Sequence, residues 1–83
     1  MKEYSINSIF DFGKYKGEWL RKVLTSDPEY VKDCIQKVEF FRMRIESFSE
    51  ILQYIPDNQM DMSTQRAFFI KASELTNYYN EEY

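Results

Sequence analysis

Phe10-Asp11-Phe12-Gly13-Lys14-Tyr15-Lys16-Gly17-Glu18-Trp19-Leu20 is the stretch whose reading decides the fold. Two aromatics alternate with an acid, as on a half-buried strand. The chain's two glycines then bracket Lys14-Tyr15-Lys16, and Trp19-Leu20 returns to apolar residues. Glycine is unhindered at positive φ, so two of them around three residues predict a tight reversal. Its tip presents Tyr15 between two ammonium groups. Upstream, Tyr4, Ile6, Ser8, Phe10 and Phe12 fall on one face if residues 4–12 are extended. Glu3, Ser5, Asn7 and Asp11 fall on the other, and Ile9 is the exception. This period-2 pattern predicts the first arm of a β-hairpin.

Beyond the reversal, Trp19, Leu20, Val23 and Leu24 are spaced as one stripe of a short helix, with Arg21 and Lys22 pointing away. Trp19 either anchors the hairpin to the helices, in which case its loss is costly, or lies exposed as a functional residue. Ser26-Asp27-Pro28-Glu29 then opens a second helix. Asp27 can cap it, Pro28 suits its first position, and Glu29 lies at the positive end of the dipole. Tyr30, Val31, Cys34, Ile35 and Val38 form its buried stripe, so Cys34 reads as a core residue. Asp33 and Lys37 make an exposed i, i+4 pair.

In Phe40-Phe41-Arg42-Met43-Arg44-Ile45, the alternation of Phe41, Met43 and Ile45 with two arginines predicts a strand that can join the hairpin as its third. Ser47 and Glu50 have capping-box spacing ahead of a helix carrying Phe48, Ile51, Leu52 and Ile55. Pro56 ends that helix, and a polar loop follows to Met62. Ser63 is placed to cap the last helix, with Phe68, Ala72, Leu75 and Tyr79 on one side. The expected architecture is α+β: a small N-terminal β-hairpin, of two or three strands, packed against three to four α-helices. Residues 1–83 form one domain, without repeats, linkers or low-complexity segments.

Composition narrows the chemistry. Eighty-three residues approach the lower limit for a self-sufficient core. Fifteen aromatics offset this, each able to bury about 150–250 Å². The absence of histidine, with a single cysteine, excludes disulfides, His/Cys zinc sites, His-based triads and Cys–His nucleophiles. Asp57 and Asp61 share a polar loop, but their spacing matches no calcium loop, and a solvated loop is the simpler reading. No catalytic residue, metal site or cofactor is therefore expected. No apolar run approaches the ~20 residues of a membrane span, and the N-terminus lacks a signal-peptide core, which predicts a cytoplasmic protein without membrane contact. Residues 1–45 carry nine Lys/Arg against seven Asp/Glu, net +2. Residues 46–83 carry two against seven, net −5. A nucleic-acid surface would thus lie in the first half.

The run Phe12-Gly13-Lys14-Tyr15-Lys16-Gly17, with Leu20, Val23, Asp27-Pro28-Glu29-Tyr30, Cys34 and Ile35, resembles the exodeoxyribonuclease X-like C-terminal domain. That family has an F-G-K-[YH]-K-G core and a D-P-x-Y helix start. It occurs as a tail on DEDD-type exonucleases and as small stand-alone bacterial and phage proteins. The resemblance spans roughly residues 8–45. It implies a small domain of hairpin plus helices with an accessory role in nucleic-acid binding. The chain departs from the family at Asp33, where a tryptophan is usual, and 83 residues leave no room for a four-carboxylate, two-metal exonuclease site. Residues 46–83 form an acidic helical half without a matching motif.

Two functions follow as expectations. In the first, a non-catalytic module grips DNA or RNA through the tip, Tyr15 stacking on bases while Lys14 and Lys16 meet phosphates. Arg21, Lys22, Arg42 and Arg44 extend that basic track if the hairpin, first helix and third strand adjoin. The competing reading folds Tyr15 back onto the core and leaves the lysines as turn solvation. In the second function, Tyr78, Tyr79 and Tyr83 on the acidic C-terminal helix serve a protein partner or a homodimer.

Overall fold

A computed structural model describes residues 2–80. Four α-helices dominate it: α1 (Leu20–Ser26), α2 (Pro28–Lys37), α3 (Ser47–Ile51) and α4 (Met62–Asn80), with a 3-10 turn at Asp57–Gln59. Among the described residues there is no β-sheet, only two isolated bridges. One is antiparallel between Ile9 and Trp19, the other parallel between Tyr4 and Met43. The expected α+β class is thus corrected to a mostly helical fold.

Residues 5–8 explain why the first arm never becomes a strand. The Ser8 amide donates to the Ser5 carbonyl at 3.0 Å, and the Ser5 amide donates to Ser8 Oγ at 2.9 Å. The Asn7 amide donates to Ser5 Oγ at 3.3 Å. Short polar side chains that bond nearby backbone favour turns over ladders, and here they break the extended run after Tyr4. On the return side, Leu20 opens α1 directly after the bridge at Trp19, so no second arm has room to grow. What survives is a narrow reversal. The Phe10 amide donates to the Glu18 carbonyl at 2.9 Å and the Gly17 amide to the Phe10 carbonyl at 2.8 Å. Gly13 (φ 73°) and Gly17 (φ 93°) supply the two left-handed positions that it requires.

Residues 41–43 likewise form no third strand. The Tyr4 amide donates to the Arg42 carbonyl at 2.7 Å, after which turns at residues 44–48 lead into α3. Phe41 and Met43 are buried as the alternation predicts, whereas Ile45 is exposed.

α1 and α2 follow their sequence signals, whereas α3 departs from them: Ser47 lies inside it, no side chain caps its start, and it ends at Ile51, short of the expected Ile55. The Asp27 amide donates to the Val23 carbonyl at 2.7 Å, closing α1, and the Asp27 side chain caps α2, its Oδ1 receiving the Tyr30 N–H at 3.4 Å. Val31, Cys34 and Ile35 are buried on α2, which packs between α1 and α4. Burial pushes the Cys34 thiol up, as expected of a core cysteine. The C-terminal end of α2 is closed by Lys71 of α4, whose Nζ donates to the carbonyls of Ile35 (2.6 Å) and Val38 (2.7 Å). Burial lowers its ammonium pKa, with Arg42 adding to the effect. Ahead of α4, Asp61 takes the position that sequence assigns to Ser63. Its Oδ1 accepts the Thr64 hydroxyl at 2.6 Å, and its carbonyl accepts the Gln65 amide at 3.0 Å.

One hydrophobic cluster joins all of these elements. Its aromatic centre is Tyr4, Phe10, Phe12 and Phe41. Phe41 stacks on Tyr4 at 4.7 Å and lies nearly parallel to Phe10 at 6.0 Å. A second group, Phe48, Phe68 and Phe69, fixes α3 against α4.

Candidate nucleic-acid interface

The bracketed turn holds its side chains differently from a solvent-facing tip. Tyr15 is half-buried. Its hydroxyl donates to Asp27 Oδ2 at 2.7 Å, and its ring meets Tyr30 edge-on at 4.9 Å. Lys14 Nζ lies 3.6 Å from the same carboxylate and over both rings, 5.2 Å from Tyr15 and 5.4 Å from Tyr30. The Tyr15 hydroxyl above all, then the Tyr30 amide and Lys14, holds the Asp27 carboxyl below the usual carboxylate range. Reciprocally, that hydrogen bond raises the Tyr15 phenol. The turn is thus pinned to the cap of α2, with Tyr15 folded back. Lys16 remains exposed and makes no ion pair among the described residues.

The other basic candidates are held by different partners. Arg21 sits on α1 with its guanidinium 5.1 Å from the centre of the Trp19 ring, and Nη1 donates to Asn7 Oδ1 at 3.4 Å. Lys22 pairs with Glu18 at 3.0 Å. Arg42 turns away toward α4, donating to the Glu39 carbonyl (2.6 Å) and Glu74 (2.9 Å). Arg44 forks onto Glu3 at 2.5 and 3.2 Å and lies 5.3 Å from the centre of the Tyr79 ring. Of the basic track expected from Lys14 to Arg44, Lys14, Lys22, Arg42 and Arg44 are each held by a carboxylate, Arg21 lies against Trp19 and Asn7, and Lys16 remains exposed. Tyr78 and Tyr79 are exposed and meet edge-on at 5.3 Å, while Tyr83 lies outside the described residues.

Of the two places that sequence leaves open for Trp19, the structure shows the exposed one. It is 44% exposed instead of anchoring the core, and Ile9, its partner in the antiparallel bridge, is 49% exposed. Residues opposite one another in such a pair project from the same face. Their neighbours Phe10 and Leu20 point inward and are fully buried. Asn7, Ile9, Trp19 and Arg21 thus make one outward surface, an indole with an apolar shoulder, a guanidinium and an amide. The signal for it was Ile9, the one residue breaking the alternation of residues 4–12.

Among the described residues no three His, Cys, Asp or Glu side chains come together as a metal-holding group, and no helix is long and apolar enough to cross a membrane. Asp61, one of the two loop carboxylates, is occupied by Thr64 and by Lys32, whose Nζ lies 3.3 Å away.

Comparison with curated proteins and with solved structures returns no match. Among protein families, residues 10–39 match the model described as exodeoxyribonuclease X-like C-terminal, an exonuclease-associated domain, so the resemblance carried by Phe12-Gly13-Lys14-Tyr15-Lys16-Gly17 and Asp27-Pro28-Glu29-Tyr30 holds over that stretch.

Proposed function

We propose that the chain is a non-catalytic accessory module that binds nucleic acid through the outward face around Trp19. One observation carries the reading. Within the stretch that matches an exonuclease-associated family, the only tryptophan is exposed with a guanidinium over its ring. An exposed indole is a stacking platform for a base, worth about 1–3 kcal/mol, and an adjacent arginine can meet phosphate. Lys16 in the turn supplies a further exposed cation. Lys14 and Tyr15 serve in this reading to fix the turn against Asp27.

Fluorescence anisotropy of labelled DNA and RNA oligonucleotides tests it, comparing the natural protein with Trp19→Ala and with a Lys14→Ala/Lys16→Ala double variant. The expected result is micromolar or tighter binding that falls at least about fivefold in Trp19→Ala. Binding abolished in the lysine variant but unchanged in Trp19→Ala would move the site to the turn. The absence of binding to every oligonucleotide at low salt would end the nucleic-acid reading.

A second reading rests on the other exposed aromatic corner. Tyr78 and Tyr79, near Arg44, form a surface of the kind enriched at protein interfaces. It predicts a homodimer whose solution mass halves when residues 78–83 are deleted; a natural chain that is already monomeric would remove it.

A further inference from the structure

We infer that the Trp19 face takes unpaired nucleotides, a single strand or a frayed end, in preference to a continuous duplex. The inference rests on the nucleic-acid reading above and specifies its substrate class.

The platform is firm from beneath. The Phe10 amide donates to the Glu18 carbonyl at 2.9 Å and the Leu20 amide to the Ser8 carbonyl at 2.8 Å, tying both chain segments on either side of the Ile9–Trp19 bridge. Phe10 and Leu20 are buried directly behind it. An aromatic on a fixed backbone loses little freedom when a base stacks on it. A base inside a duplex, however, already has both faces covered by its neighbours. Stacking on it requires unstacking, which costs a few kcal/mol per step and is repaid only by many additional backbone contacts.

Those contacts are scarce here. At least seven of the eleven Lys and Arg are held in ion pairs: Lys2 with Asp11, Lys14 with Asp27, Lys22 with Glu18, Lys37 with Asp33, and Lys32, Arg42 and Arg44 with acids on other segments. The net charge is −3. Beside Trp19, α1 brings only Arg21 and the already paired Lys22, and Lys16 adds one more cation. A surface with one to three available cations cannot hold a duplex by neutralising phosphates, whereas a single strand bound by stacking needs few.

The electrostatic count also fixes a salt dependence. For one to three phosphates on a single strand, the slope of log affinity against log salt is about −0.7 to −2.1. Raising salt from 50 to 200 mM should then weaken binding by about 3- to 18-fold, far below the ~1,000-fold or more of a surface meeting six to ten phosphates.

The experiment uses the full chain. Trp19 is its only tryptophan, so indole emission reports on the site itself. Titrations with oligothymidylate and with a closed hairpin duplex of equal nucleotide count, at 50 and 200 mM salt, should show quenching and at least tenfold tighter binding for the single strand. Labelled-strand anisotropy with Trp19→Ala should show a loss of about 5- to 150-fold, the equivalent of one stacked base. Trp19→Phe, which keeps a ring, should retain most of the affinity, with circular dichroism confirming that both variants fold. Equal affinity for hairpin and single strand, both lost in Trp19→Ala, would overturn the single-strand preference and leave the nucleic-acid reading standing. Single-strand binding indifferent to Trp19→Ala would overturn the site. Binding to neither, with indole emission instead changing on dilution of the protein alone, would overturn both and identify the face as a self-association surface.

Discussion

Substituting each glycine of the turn by alanine separates two costs that sequence alone cannot distinguish. Both residues have positive φ, 73° at Gly13 and 93° at Gly17. Alanine in that region costs roughly 1–2 kcal/mol at either position. The gain from a stiffer unfolded chain applies to both and cancels in the comparison. The surroundings differ. A Cβ at Gly17 would meet nothing within 4 Å, whereas one at Gly13 would overlap the Tyr30 hydroxyl. That hydroxyl ends a rigid ring, held edge-on by Phe10 at 5.6 Å and by Tyr15 at 4.9 Å. Clearing it moves the whole ring, an overpacking penalty of about 1–3 kcal/mol. Gly17→Ala should therefore cost about 1–2 kcal/mol and Gly13→Ala about 2–5 kcal/mol. At about 4–8 °C per kcal/mol for a domain of this size, Tm for Gly13→Ala should lie at least ~4 °C below that for Gly17→Ala. The decisive control is Gly13→Ala in a Tyr30→Phe background. Removing the hydroxyl leaves Cζ at an ordinary 3.4 Å, and the penalty should fall to the Gly17 level. Equal melting temperatures for the two alanine variants, or no rescue by Tyr30→Phe, would refute the reasoning.

Three further outcomes follow from the same geometry. Trp19→Ala should lower stability by only about 2 kcal/mol in urea titrations, near half the 3–5 kcal/mol of a buried tryptophan, because so much of the ring is already in water. Lys71→Met should cost about 1–3 kcal/mol by chemical denaturation, since the carbonyls of Ile35 and Val38 lose their shared donor; a neutral effect would mean that water replaces it. Acid should unfold the chain through Asp27 and Asp61, whose carboxyls are held below their ordinary 3.8, chiefly by the Tyr15 and Thr64 hydroxyls. Their contribution is complete above pH 3.8 and is lost as pH falls through the lower folded values, so urea midpoints should decline below about pH 4 and decline less steeply in Asp27→Asn.

The helical half of the architecture was legible because its signals are local. Asp27-Pro28 fixes the start of α2 by capping and ring geometry, and the stripes of α1, α2 and α4 repeat at helical spacing. Burial in residues 4–12 was also legible, since Tyr4 and Phe10 are inside and Asn7 and Asp11 outside. The inference from that burial to a strand failed because alternation reports which side chains face the core and not whether the backbone finds a ladder partner. Ser5, Asn7 and Ser8 turn the backbone on itself, and α1 starts too soon for a second arm. The placement of Trp19 depended on long-range packing. The indole competes with Leu20, Val23 and Leu24 for the interior, and those three fill it.

The aromatic centre has a consequence for how portable this domain is. Residues 10–39 match the family, yet Phe10 and Phe12 close against Phe41, and Tyr4 stacks on Phe41 and meets Phe12 edge-on. Both closing rings lie outside the matched segment, as does Lys71, which seals the end of α2. The recognisable segment is thus half of a mould whose other half is written in flanking residues. A graft of residues 10–39 onto a foreign enzyme would carry the motif and leave its apolar side open. Transplanting the module means moving residues 4–80 as a single inheritance, since Ile51, Ile55 and Met60 belong to the same core.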